Sequence, residues 1–513
     1  MYQTVTVEKF SSGGLNTDVP QWGLDQSFIT NGVNFRIKDN KILSTYGYAV
    51  VSSNTYGTEA GGGTIPSGDT ANYPQFFTGH TNGILSITIN GAVALSYSAG
   101  GLAYDGWTFA RLGPILIANH VSYGALYKLN GASSWTRLPF KTAANWGTNG
   151  KYGLCIRSHK TYLFMLGLYE SSTYLYDSFR WSHPADANAI PASWDETDTA
   201  FVAGKAALGA KSKQIIDGYS LKEQFIIYSQ ESINVLWESG DMNIWNRSEI
   251  TSSTGLLRRE CIAELNGVHF LLCVDDITIC DGTGLQSIAT GMIQRHMAAN
   301  IDATKFAGYA FVVANTQERE VWFCVPSTSA PYSGCDLAYV YNIDGSSWAV
   351  RDIKGTSNVV MRSAAWGYCP DTNSIYDRSI IAISNTGKAF NLDPVPPVNA
   401  YNHEYAGAIT VANKDATIER QNLKLSDLDQ EIMLVSVRPM LKGKGQVQVY
   451  IGSHKYAGAN VVWKTPVTFD IRDDDRIPIR CSGKLFAWKI VGLSGAIFEL
   501  SGIEFEITPA GTR

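Results

Sequence analysis

A chain of 513 residues is too long for one ordinary core and predicts two or three domains. Only 17% of residues are charged, the net charge is −5 and no long basic run occurs, so charge does not indicate a protein that grips nucleic acid, while one that lets DNA pass stays open. Hydrophobic residues make up 45%, with 13 Trp and 26 Tyr, so a large core is affordable and much of the charge-poor surface is expected to be covered by partner subunits.

The first residues, Met1-Tyr2-Gln3-Thr4-Val5, show no basic segment followed by an apolar stretch, so no signal peptide is predicted, and no apolar run is long enough to span a bilayer. The glycine-rich stretch 52–70, centred on Gly61-Gly62-Gly63, reads as a flexible loop. Residues 84–89 and 92–97, joined by Asn90-Gly91, alternate in the manner of a hairpin. Ten Asn-Gly or Asp-Gly pairs occur, at Asn31, Asn82, Asn90, Asp105, Asn130, Asn149, Asp217, Asn266, Asp281 and Asp344, and each suits a tight turn needing positive φ. Further hairpins are predicted for 225–228 with 233–237, for 271–279 around Asp275-Asp276, and for 310–313 with 321–325. Helical periodicity is nearly absent, with 292–298 the best short candidate.

An internal echo links Tyr127-Lys128-Leu129-Asn130-Gly131-Ala132-Ser133-Ser134-Trp135 to Tyr341-Asn342-Ile343-Asp344-Gly345-Ser346-Ser347-Trp348, with Tyr104-Asp105-Gly106-Trp107 as a shorter relative. Trp194 and Trp245 are looser counterparts. Aromatic-bearing hairpins recurring every 40–60 residues point to radial repetition. The predicted fold is therefore all-β: a β-propeller of six to eight blades over 71–393. A β-sandwich is the alternative reading. The proline-rich stretch 393–398 reads as a stiff linker to a smaller β-sandwich-like domain over 398–513, whose alternating runs are 432–437, 447–451, 485–491 and 498–507. The N-terminal arm, 1–50, is expected to join that domain.

Chemistry is sparse. Gly492-Leu493-Ser494-Gly495-Ala496 lacks the last glycine of a hydrolase elbow, and Thr386-Gly387-Lys388-Ala389 lacks most of a phosphate-binding loop. Asp473-Asp474-Asp475 lacks the alternating spacing of a calcium loop and reads as a solvated turn. The eight cysteines (Cys155, Cys261, Cys273, Cys280, Cys324, Cys335, Cys369 and Cys481) form no CxxC pair and are expected to be buried free thiols, as suits assembly in a reducing cytosol. Among the scattered histidines, His183 in Arg180-Trp181-Ser182-His183-Pro184 has the richest surroundings and reads as structural. The residues thus name no catalytic, cofactor-binding or metal-ligating site, no cofactor and no enzyme.

Two stretches carry a resemblance. Gly13-Gly14-Leu15-Asn16-Thr17-Asp18-Val19-Pro20 leads into Asn31-Gly32-Val33-Asn34-Phe35-Arg36-Ile37-Lys38-Asp39-Asn40-Lys41. Later come Phe179-Arg180-Trp181-Ser182-His183-Pro184, Ile190-Pro191-Ala192-Ser193-Trp194, Gln224-Phe225-Ile226-Ile227-Tyr228, Ser253-Thr254-Gly255-Leu256-Leu257, Glu264-Leu265-Asn266-Gly267-Val268-His269-Phe270 and Asp281-Gly282. In order, these resemble the tail nozzle, or packaged-DNA stabilisation, family of short-tailed bacteriophages (podoviruses). The match covers roughly 10–350, with a weaker echo at 498–505. Asn31-Gly32 replaces the family's paired asparagines, and Asp39-Asn40 replaces Asp-Gly. The resemblance implies a virion structural protein of the tail hub, assembled in the host cytoplasm as a ring, six copies in relatives. It would sit below an adaptor ring, near tail fibres or needle, without membrane insertion, retaining the packaged genome and letting phage DNA pass at ejection. A lumen that lets DNA slide should avoid phosphate contacts. The other readings are a host-glycan-binding tail protein and a propeller glycan hydrolase.

Overall fold

The computed structural model describes residues 3–10, 14–52, 60–67, 75–88, 92–209, 213–240, 244–355, 359–369, 378–394, 411–412, 414–426 and 430–510. Among them, six four-stranded antiparallel sheets and one five-stranded sheet follow one another along the chain in propeller-like fashion. They are called blades 1 to 7 below. Their first strands are Ala60–Pro66, Trp107–Leu112, Tyr152–His159, Ile215–Leu221, Ile262–Leu265, Phe311–Asn315 and Met361–Tyr368. These first strands lie against one another from blade 1 to 4 and from blade 5 through 6 and 7 back to blade 1, so they form the inner wall of a ring. Blades 4 and 5 are joined there by the Glu260 N–H, which donates to the Asp217 carboxylate at 3.1 Å. Each blade meanders outward and the chain then returns to the axis, so the inner strands share one direction.

Turn chemistry explains much of the meander. Asn266 and Gly267, at φ 59° and 76°, turn Ile262–Leu265 into Val268–Leu272 with the two positive φ values a tight hairpin requires. Gln224–Ser229 pairs with Ile233–Glu238, Phe311–Asn315 with Glu320–Val325, and Gly83–Ile87 with Val93–Ser98. The turn Asn90-Gly91 lies outside the described residues. Two such pairs are not turns. Asn31-Gly32 lies in the strand Asn31–Val33, and Asp217-Gly218 lies inside the inner strand Ile215–Leu221. The Trp echo is positional: Trp135, beside the outer strand of blade 2, donates its indole N–H to Ser96 Oγ of blade 1 (3.2 Å), and Trp348, on the outer strand of blade 6, donates to Ile288 O beside blade 5 (3.0 Å). Each ring wedges between its own blade and the preceding one.

The glycine run is a correction. Ala60–Pro66 is the inner strand of blade 1, so the blades begin upstream of residue 71, and this part of 52–70 is no loop. A Cβ on Gly62 would lie 1.4 Å from Tyr104 O, so glycine is there to let another segment's backbone approach. Residues 53–59 and 68–70 lie outside the described residues, as does most of the proline-rich stretch 393–398.

Helices are short. α1 (Gln294–Asn300) covers most of the predicted helical stretch, and α2 (Ala303–Tyr309) follows it before blade 6.

Apart from two short two-stranded sheets, Gly14–Leu15 with Phe28–Ile29 and Pro139–Lys141 with Ala144–Asn145, the remaining described strands form two six-stranded sheets. Residues 3–44 supply strands to both: Gln3–Glu8 and Lys41–Ser44 pair with Ile497–Pro509, and Asn31–Val33 pairs with Thr417–Leu423. Ile432–Lys444, Gln446–His454 and Leu485–Gly492 are the other long members. Phe10, Phe35, Leu434, Val449, Trp488 and Phe505 are buried in the core shared by these sheets and blades 4–7. Farther along the N-terminal arm, Tyr48–Val50 leaves these sheets and pairs with Ala389–Asn391 of blade 7, and Val411–Ala412 pairs beyond it. The last blade is thus completed by a strand from the chain's beginning, which ties the ring shut.

Candidate functional site on the blade axis

Residues from all of the blades line a half-open cavity of about 340 Å³ on the axis. Its wall carries Arg111, Arg157, Ser158, Tyr219 and Glu260 among apolar groups such as Phe109 and Phe311. Strand alternation and an early bulge in Ile215–Leu221 place Asp217 behind this wall, fully buried. Its carboxylate takes two hydrogen bonds from Arg157, Nε to Oδ1 and Nη2 to Oδ2, both 2.8 Å. It also accepts from Gly218 N (2.8 Å) and Cys155 Sγ (3.2 Å). Burial pushes the Asp217 carboxyl up, but Arg157 and these donors outweigh it and hold it below its ordinary value. Arg157 is held charged in return, spans to Phe109 O (2.7 Å), and lies 5.0 Å over the Tyr219 ring.

The segment Arg258-Arg259-Glu260 precedes the inner strand of blade 5 and reaches across one end of the axis. Arg258 donates to Ala310 O before blade 6 (2.8 Å). Arg259 donates to Leu154 O of blade 3 (2.9 Å) and Asp105 O before blade 2 (2.7 Å). Glu260, at φ 65°, receives Val312 N of blade 6 on its carbonyl at 2.8 Å. Its carboxylate extends to Gly63 of blade 1, where a Cβ would sit 2.6 Å from Oε1. These contacts lie at or near the starts of inner strands, so this charged strap closes that end, and the cavity opens at the other. Burial raises the Glu260 carboxyl above the ordinary range, with Arg157, Arg258 and Arg259 opposing. A positive φ on a glutamate is strained backbone, held by the hydrogen bonds on either side.

Arg157 occupies the place at Asp217 that a cation would need, and among the described residues no cluster of three His, Cys, Asp or Glu side chains is set to hold a metal. The other residues singled out in the sequence lie elsewhere. His183 accepts from Val202 N (3.3 Å), packs edge-on against Phe201, and so pins the 183–202 loop. Asp475 pairs with Arg438 of Ile432–Lys444 (2.8 Å) and Asp474 accepts from Asp470 N (2.7 Å), which makes the acidic run an exposed turn tied to a neighbouring strand. All eight cysteines are buried and free. The axial residues were missed because Asp217-Gly218 has turn composition. The available signal was the charged triplet Arg258-Arg259-Glu260 between two apolar strands.

The motif residues prove to be staples. Asn34, at φ 61°, donates through its backbone N–H to Val350 O (2.8 Å) and accepts from Asp352 N on Oδ1 (2.9 Å). Arg36 binds Glu320 of blade 6 (2.6 and 2.9 Å) and Asp393 (2.6 Å), which also binds Arg351 (2.9 Å). Asn16 reaches Gly291 O (3.1 Å), and Asp18 accepts from the first N–H groups of α1. Arg180, fully buried, joins Glu170 (2.8 Å), Glu196 and Trp194 O (3.0 Å).

Fold and site together define an all-β protein of propeller-like blades, with a small polar cavity on the axis and a charged strap at its base. No family model matches the chain, and no curated protein matches it. Among solved structures it is similar to the computationally designed Ika8 protein, with a TM-score of 0.37 and 10% identity, over 74% of this chain and 100% of that one. It is also similar to PorZ, a surface component of the type-IX secretion system of Porphyromonas gingivalis, with a TM-score of 0.37 and 10% identity. That likeness covers 82% of this chain and 46% of PorZ, so the chain spans about half of PorZ's length. The architecture is defined by the strand pairings themselves.

Proposed function

We propose that this chain is a seven-bladed β-propeller subunit of a short-tailed phage tail nozzle, a homo-oligomeric ring around the DNA channel that retains the packaged genome and permits its ejection. The observation that carries the reading is the work of the motif residues. Asn16, Asp18, Asn34 and Arg36 bind the N-terminal arm to blades 5 and 6, and Arg180 locks blade 3. Those residues hold the architecture together, as residues of a shared scaffold would, while other matching residues such as Asn266-Gly267 and Asp281-Gly282 form the turns between strands.

The closed axis adds a geometric consequence. A 340 Å³ cavity cannot admit a duplex whose major groove alone is ~12 Å wide, so DNA passes between copies and not through a subunit. The ring is expected to bury exposed aromatic surface such as Tyr174, Tyr176 and Tyr456 against copies or the adaptor.

Electron microscopy of the purified assembly tests this. A ring with a central lumen, six-fold in the expected case, supports the nozzle. A lone molecule or a trimeric fibre rules it out, and so does tight, salt-sensitive binding of the particle to free duplex DNA.

A further inference from the structure

The axial cavity holds polar groups that the fold leaves without partners. Among the described residues, the Glu260 carboxylate, the Tyr219 hydroxyl and the Ser158 hydroxyl line it and engage no side-chain hydrogen bond, while the neighbouring Ser220 hydroxyl is taken by His159 Nδ1. Arg157 commits four of its N–H groups, to Asp217, Phe109 O and Ile156 O, and keeps one on Nη2. We propose that this cavity binds a neutral, polyhydroxylated ring of monosaccharide size, with Glu260 as the central acceptor.

The chemistry of the wall selects that class. A hydroxyl donates and accepts together, so a polyol needs a carboxylate acceptor beside cationic and hydroxyl donors. Glu260, Arg157, Tyr219 and Ser158 supply that set. A small anion would meet Glu260, and a small cation would meet Arg111 and Arg157. The C–H faces of a sugar ring match the aromatic walls, Phe109 and Phe311. The volume lies at the small end of the ~300–1,000 Å³ range of ligand pockets, and the strap closes the base, so one ring fits and a threaded glycan does not. Gly63 contributes by absence: any side chain there would strike Glu260 Oε1 and turn the carboxylate away. The strained backbone of Glu260 is the further sign that its placement is maintained against a local cost. This site does not depend on the nozzle reading, because its ligand enters a single subunit from the open end.

The test uses the full chain titrated with D-glucose, D-galactose and N-acetyl-D-glucosamine, with inorganic phosphate in parallel, followed by calorimetry and saturation-transfer NMR. At least one sugar is expected to bind saturably, once per chain. Glu260→Gln should weaken it about tenfold or more, because a hydrogen bond to a charged acceptor is lost. Tyr219→Phe, which keeps the ring and the Arg157 contact, should weaken it by about three- to tenfold and serves if the first variant does not fold. No saturable binding of any of the three sugars overturns the proposal, as does binding indifferent to both substitutions. Phosphate binding more tightly than every sugar also overturns it and identifies an anion site instead.

Discussion

Asp217 and Arg157 illustrate how single residues set the stability of the axis. Neither is exposed, and their bidentate pair joins blades 3 and 4. Asp217→Asn would strand a buried guanidinium, so a loss of about 3–5 kcal/mol is expected in denaturant unfolding. His269 makes a different prediction. Its ring is fully buried, with Tyr228 Oη on Nδ1 (2.7 Å) and Ser220 O on Nε2 (2.8 Å), and burial holds its pKa down at about 4. The unfolded chain takes up the proton near pH 6.5 and the folded one only near 4, so stability falls as pH drops through that window and levels off below it. The loss from this residue is on the order of 3 kcal/mol, and a melting series from pH 7 to 4 should be shallower in His269→Gln, with slope remaining from groups such as His159, which burial also holds down at about 4. Gly62→Ala, by contrast, forces a Cβ onto Tyr104 O and is expected to cost more than about 3 kcal/mol.

Strands and hairpins obey simpler rules. Trp348→Ala would empty the wedge between blades 5 and 6 and lose the bond to Ile288 O, at a cost of roughly 3–5 kcal/mol in thermal or denaturant unfolding. The closing strand Tyr48–Val50 depends on a backbone ladder on both of its edges, to Ala389–Asn391 and to Val411–Ala412. Ala49→Pro removes an N–H and sterically blocks the ladder, a change of about 3 kcal/mol, and should make blade 7 the first site of limited proteolysis. At this scale the sequence was readable where side chains alternate: Asn266-Gly267 and the runs around 225–237 and 311–325 fold as hairpins because pattern and turn agree. It misled at Gly61-Gly62-Gly63, since a strand chosen for close backbone approach has the composition of a linker.

For the molecule as a whole, the N-terminal arm is the joint. It contributes to both outer sheets, then crosses to blade 7, and its Arg36 lies in a buried cluster with Glu320, Asp393 and Arg351. Arg36→Ala should loosen the arm and the ring closure together, visible as a single earlier melting transition in calorimetry; two separate transitions would show that the blades and outer sheets are independent. The Arg36 motif was visible in the sequence, but its acidic partners were not. Glu320 and Asp393 lie hundreds of residues away, and no local pattern records a pairing made only when the ring closes.

By itself, the sequence determined the class: β-rich from its period-two alternation, built of repeated hairpins from its Asn-Gly turns and recurring Trp, because these are local consequences of backbone geometry. Only the tertiary structure decided how many sheets surround the axis, that the first residues complete the last blade, and that Glu260, Asp217 and Arg157 share one cavity. Those contacts join residues far apart in the chain, and they exist only once the inner strands are brought side by side.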